Sequence, residues 1–291
     1  MDFYVQFWGT RGSIPTPGMR TRRYGGNTSC VEIRFGQELF ICDAGSGIRD
    51  LGVNLLERTD APITAHFLFS HAHWDHIQGF PFFEPAYFSQ NLFYIYGSTV
   101  GDDRFYRLLS GQMRSDYFPV AFSALKAEIA AAYLDNGGRT IGQVQIGTVP
   151  LNHPGGCIGY SFFAGGKRIV YLTDNEIPLP DGLASPNPAT GRRAVPAALV
   201  EFVRDADLLI ADGQFTDAEH LARPGWGHSS CLTAVDLALH GGVKQLALFH
   251  HDPGHSDADV DFMLHDCSER VAKLDGNVKV FAARERMELK I

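Results

Sequence analysis

A set of apolar, β-rich runs that end on a histidine or an aspartate most narrows the folds open to this chain. "ITAHFLFS" runs straight into His71, "GTVPLNH" ends at His153, "RIVYLTD" at Asp174 and "QLALFH" at His250. Imidazole and carboxylate are poor core groups, but they are good ligands for divalent metals. Loops held by a rigid sheet are where a pocket is expected. The expectation is therefore a sheet-based fold that gathers these strand ends around a metal.

Runs of the same kind recur as "FYVQFWG", "CVEIRF", "ELFICDAG", "NLFYIYG", "IGYSFFAGG" and "DLLIAD", punctuated by Gly, Pro, Asn and Asp as strands are. The Gly-Gly pair in "FAGGKRI" marks a hairpin turn. Helical periodicity is read at 102–112, 122–134, 196–204, 230–240 and 257–273. Hairpins early and strand–helix alternation late point to an α/β sandwich, with sheets covered by helices. At 291 residues and 45% hydrophobic content, the chain has ample apolar surface for a core. It is read as one domain over 1–291. The Pro- and Gly-rich segment 177–196 is taken as a surface loop because candidate ligands flank it.

The stretch "SHAHWDHIQG" places His71, His73, Asp75 and His76 within residues 71–76 of a chain with 12 histidines. If 71–73 is extended, His71 and His73 point to the same side, because side chains alternate along a strand. Both then bind one ion. Asp75 and His76, on the following turn, face a second. His153 completes the first site and His250 the second, while Asp174 bridges through its two oxygens. The segment "FHHDPGH" leaves His250, His251 and His255 as alternatives for the last position. Two ions that share a water suit hydrolysis, the bridging hydroxide acting as nucleophile.

The net charge of −8 argues against a broad basic face for large nucleic acid. Five cysteines, at positions 30, 42, 157, 231 and 267 with no C-x-x-C pair, fit a reducing compartment rather than a disulfide scaffold. The opening "MDFYVQFWGTRG" does not read as a signal peptide, and no stretch is long enough to span a membrane. A cytoplasmic protein is expected.

The motif "SHAHWDH" resembles the signature of the metallo-β-lactamase superfamily. "FWGTRGSIPTPG", "RYGGNTSC", "FICDAGSGI", "NHPGG", "YLTD", "ADLLIADGQF", "WGHSSCLTAVDLA" and "LALFHHDP" follow the order of its phosphodiesterase branch, which includes ribonuclease Z and the cyclic phosphodiesterases. The resemblance implies a four-layer αββα fold, a dinuclear zinc or manganese site and a homodimer. Its ligands fall on His71, His73, Asp75, His76, His153, Asp174 and His250, with Asp75 counted among the catalytic groups as well. It further implies that His228 donates a proton to the leaving group. Asp212, standing where ribonuclease Z relatives usually carry Glu, would orient that histidine. Asp43 is expected beneath the site, bonded to a ligand imidazole.

Other features are weaker. Arg20, Arg22 and Arg23 form a basic knot that could meet a phosphate or simply be solvated. Phe82, Phe83, Tyr117 and Phe118 could cover the pocket or belong to ordinary core. The function these readings favour is metal-dependent hydrolysis of a small, nucleotide-like phosphodiester, cyclic ones included. Ribonuclease Z-type trimming of tRNA is the nearest alternative; that family usually carries a Gly/Pro-rich arm that grips tRNA between the third histidine and the bridging aspartate, and the short, hairpin-like segment between His153 and Asp174 disfavours it. Lactonase or thioesterase chemistry comes next, and a non-catalytic ligand-binding protein last.

Overall fold

The computed structural model describes residues 2–97, 104–134, 138–179 and 191–291. Two seven-stranded mixed sheets form its centre. The first runs β14 (Glu288–Lys290), β1 (Phe3–Gly9), β2 (Cys30–Phe35), β3 (Glu38–Cys42), β4 (Thr64–Leu68), β5 (Leu92–Tyr96), β6 (Glu128–Ala131). The second runs β13 (Lys279–Ala282), β12 (Gln245–Phe249), β11 (Leu208–Asp212), β10 (Lys167–Leu172), β9 (Cys157–Ala164), β8 (Val144–Leu151), β7 (Arg139–Ile141). In both sheets antiparallel pairing gives way to parallel pairing, at β3–β4 in the first and at β10–β11 in the second. The C-terminal strand β14 crosses over to pair with β1.

Three apolar clusters fix the layers. Phe3, Val5, Phe7 and Phe40 of the first sheet meet Ile146, Tyr160, Phe162 and Phe249 of the second, so the inner faces pack on each other. Outside the first sheet, Phe67 and Phe93 pack with Ile48, Leu51 and Leu55 of α1 (Ile48–Arg58) and Phe105 of α3 (Arg104–Gln112). Outside the second, Val170 and Leu209 pack with α4 (Ala197–Phe202), α6 (Cys231–Gly241) and α7 (Asp257–Lys273). This is an αββα sandwich, as the sequence implied. The Gly165–Gly166 turn between β9 and β10 has both residues at positive φ, the geometry of a tight two-residue hairpin.

One expected element differs, and two helices were not expected. Segment 122–134 reads as helical but forms a short 3-10 turn, Phe122–Ala124, and then β6, which pairs parallel with β5. An open sheet edge outweighed a weak local preference. Helix α5 (Asp217–Ala222) was not expected, and neither was α1, which carries Gly52. An added Cβ there would lie 3.0 Å from Pro85, so the glycine serves close packing. Of the 177–196 loop, residues 180–190 lie outside the described residues. The remainder is anchored by buried Arg193, which pairs with Asp217 at 2.6 Å.

The five cysteines are all buried and unpaired. Among the described residues, no helix is long and apolar enough to cross a membrane.

Candidate metal centre

Strands that run in one direction within each sheet deliver their carboxyl ends to one edge of the sandwich. Asp43 follows β3, His71 follows β4, His153 follows β8, Asp174 follows β10, Asp212 ends β11 and His250 follows β12. Helix α2 (Trp74–Ile77) turns immediately after His73 and carries Asp75 and His76. Asp43, Asp174 and His250 take positive φ values of 60°, 47° and 61°. Such backbone is costly for non-glycine residues and is characteristic of functional sites.

The side chains form two triads. The ligand atoms of His71, His73 and His153 lie within 4.8 Å of one another, and so do those of Asp75, His76 and His250. Asp174 sits between the triads and divides its oxygens. Oδ1 is 3.2 Å from His76 Nε2 and 3.3 Å from His250 Nε2. Oδ2 is 3.6 Å from His71 Nε2 and 3.7 Å from His153 Nε2.

The rings are held from behind. His76 Nδ1 donates to Asp43 Oδ2 at 2.8 Å, His153 Nδ1 to the Gly227 carbonyl at 2.9 Å and His250 Nδ1 to Gln214 Oε1 at 2.8 Å. With the protons at Nδ1, each Nε2 turns a lone pair inward. Asp43 is itself fixed by Ser70 and by the Tyr171 hydroxyl at 2.7 Å. The Ser13 amide donates to Asp75 Oδ2 at 2.7 Å.

These contacts test whether the residues fit divalent ions, and they do. His71 Nε2 is buried with no hydrogen-bond partner. His76 Nε2 and His250 Nε2 face each other at 3.2 Å, and His153 Nε2 and His73 Nδ1 at 3.0 Å. Lone pairs converging on a space lined by carboxylates call for a cation. Burial and the neighbouring histidines push His71 down to about 2, which keeps it neutral. Burial also disfavours a charged His76, yet Asp75, Asp174 and Asp43 overcome it and raise that imidazole well above its usual range, so they draw onto Nε2 a proton that a divalent ion would displace. The carboxylates therefore make the cleft attractive to positive charge.

The alternatives for the last position separate clearly. His250 faces the triads. His251 turns away and bonds the Ala283 carbonyl at 2.9 Å, with burial pushing it down to about 3. His255 pairs with Glu219 at 2.8 Å.

His228, just ahead of α6, stacks on His250 with ring centroids 5.0 Å apart, and its Nδ1 donates to Asp212 Oδ2 at 2.7 Å. The shorter aspartate makes the contact. Burial opposes the charged ring, but Asp212 prevails, helped by Asp174 and Asp75, and pushes His228 up to about 9.

Other sequence candidates lie elsewhere. Arg23 is tied to Asp257 and Asp261 of α7, and Arg20 reaches the Gly254 carbonyl. Phe83 is core, whereas Phe82 is exposed and packs edge-on against Phe118. Cys157 is buried, its thiol raised well above the usual range by burial. A cavity of about 390 Å³ opens beside His71 and His73, walled by Phe105, Leu108, Pro154 and Ile158 and including Arg104. Sequence reasoning missed Gln214, Ser70 and Tyr171, and it missed Glu176, which accepts from the amides of Gly225 and Gly227. No local pattern marks these residues.

Asp43→Asn is expected to keep the fold, because asparagine tolerates the same positive φ. It should weaken metal affinity about 10–100-fold, as loss of a carboxylate behind a ligand imidazole typically does. Competition with a chelator measures this, and unchanged affinity would remove Asp43 from the site's support.

The family described as "Beta-lactamase superfamily domain" matches residues 39–251. Ribonuclease Z of Methanosarcina mazei is 27% identical over 327 aligned positions, covering 99% of this chain and 97% of that protein. Among solved structures, the metallo-beta-lactamase fold protein YhfI from Bacillus subtilis superposes with a TM-score of 0.68 at 16% identity, covering 100% of each chain. A diphosphatase of the PhnP family gives 0.66 at 16% identity, covering 99% of this chain and 98% of its own. At that identity the two structures speak for the fold alone.

Proposed function

The chain belongs to the beta-lactamase superfamily, and from that premise we propose that it is a dinuclear, metal-dependent phosphodiesterase. Its substrate is a small, nucleotide-like phosphodiester, cyclic or linear, and its metal is zinc or manganese. The observation that carries the reading is Asp174, whose two oxygens face two separate histidine-rich triads. Ions held there by His71, His73 and His153, and by Asp75, His76 and His250, would supply Lewis acidity toward phosphoryl oxygens and lower the pKa of water.

The chain's own residues do the rest. Asp43, Gln214 and the Gly227 carbonyl fix three ligand rings, so the cleft is organised before substrate arrives. Asp212 engages Nδ1 of His228, which leaves Nε2 to deliver a proton to the departing alkoxide. The cavity beside His71 and His73 has the size of a small-ligand pocket.

The first test is hydrolysis of bis(p-nitrophenyl) phosphate by chelator-stripped enzyme, resupplied separately with zinc and with manganese, beside a β-lactam and a thioester. Metal-restored diesterase activity with silent controls is expected. Cleavage of a control with no diesterase activity would contradict the reading. Processing of precursor tRNA is the second reading, favoured by the full-length similarity to ribonuclease Z. Against it stands the segment between His153 and Asp174, which is a β9–β10 hairpin with a two-residue turn rather than an extended arm. The net charge of −8 weighs the same way.

A further inference from the structure

An exposed tryptophan is by itself unremarkable. Trp226, 62% exposed, is held in a way that exposure alone does not explain. Glu176 grips the peptide on both sides of it, accepting from the Gly225 amide at 2.9 Å and from the Gly227 amide at 2.8 Å. The same loop supplies the Gly227 carbonyl to His153. Gly227 has φ 85°, and an added Cβ would lie 2.0 Å from His153 Nδ1, so this stretch of backbone lies against the cleft. From behind, the Arg223 guanidinium lies 5.7 Å from the Trp226 ring centroid and 5.0 Å from that of Phe215. Phe215 in turn packs edge-on against His228 at 5.7 Å. A series of ring and guanidinium contacts, His228–Phe215–Arg223–Trp226, thus links the exposed indole to His228.

We propose that Trp226 is a specificity-determining platform, on the leaving-group side of the cleft, against which the base of a nucleotide substrate stacks. The proposal rests on the phosphodiesterase reading and sharpens it to a substrate class. Glu176 and Arg223 serve as positioning residues. The backbone that carries the indole is already held on both sides by Glu176, so less freedom is lost on binding than for a tryptophan on a free loop. Indole faces accept any base, which predicts a preference for nucleosides over base-free sugars and little discrimination among bases.

The test compares adenosine 2′,3′-cyclic phosphate with 1-O-methylribose 2′,3′-cyclic phosphate, which lacks the base. Wild-type enzyme should favour the first by about 5- to 100-fold in kcat/KM, the range expected of one stacked base. Trp226→Ala should collapse that ratio through KM, while Trp226→Phe restores most of it. Trp74→Ala, which removes the other exposed tryptophan, should leave the ratio intact. An unchanged ratio in Trp226→Ala, or an equal collapse in Trp74→Ala, would overturn the proposal.

Fluorescence keeps the proposal separate from the reading beneath it. The chain has 3 tryptophans, and Trp8 is buried, so the emission that a bound nucleotide can quench by contact comes from Trp74 and Trp226. If the metal-loaded wild type cleaves no diester, the phosphodiesterase reading fails. Quenching by adenosine monophosphate that disappears in Trp226→Phe would still support the platform. No quenching, or quenching that persists in that variant, would overturn it.

Discussion

Asp174→Asn is expected to lose metal from both triads and to lower diester hydrolysis about 10³-fold or more, because several kcal/mol of charge stabilisation depend on the ions. Asp174 is buried, and its oxygens approach His76 and His250 on one side and His71 and His153 on the other. The histidines' attraction outweighs the penalty of burial and holds its carboxyl well below the usual range. Asparagine preserves shape and tolerates the positive φ, but it removes the charge that balances two cations. Asp75→Asn should differ in kind, because the ligand histidines that Asp75 approaches, His76 and His250, belong to one triad, and should weaken one ion selectively. Metal content per chain by mass spectrometry, measured beside kcat, separates the two. An Asp174→Asn enzyme that retains both ions and its rate would exclude a bridging role.

His228→Ala should retain metal yet slow hydrolysis of substrates with alkoxide leaving groups about 10²–10⁴-fold, the usual contribution of a general acid. A p-nitrophenolate leaving group needs little protonation, so the same variant should lose far less on bis(p-nitrophenyl) phosphate. Asp212→Asn should follow in the same direction, since it leaves the ring at 2.7 Å from a neutral amide and removes the charge that keeps it protonated. Equal losses on both substrates would point to a structural role for His228 instead.

What could be read from the sequence follows from which interactions are local. Strands β4, β8, β10 and β12 are apolar runs closed by a polar residue, a pattern visible in single segments, and their carboxyl ends meet at one edge of the sandwich. His71, His73, Asp75 and His76 are near neighbours in the chain, so their convergence is also local. The Asp212–His228 pair came from resemblance rather than spacing. Gln214, Tyr171 and Glu176 were not legible, because each acts through a hydrogen bond to a distant segment: His250 from 36 residues away, Asp43 from 128 and Gly225 from 49. Segment 122–134 misled for the same reason. Its conformation is set by pairing with β5, and periodicity does not encode a partner.

A two-ion hydrolytic centre is tested most directly by an activity titration. Metal-free enzyme would receive zinc, and in parallel manganese, in fractional equivalents while bis(p-nitrophenyl) phosphate hydrolysis is followed. The two-triad geometry predicts that activity climbs to a break at about two equivalents per chain. A break at one equivalent with full activity, or hydrolysis that persists without metal, would contradict it.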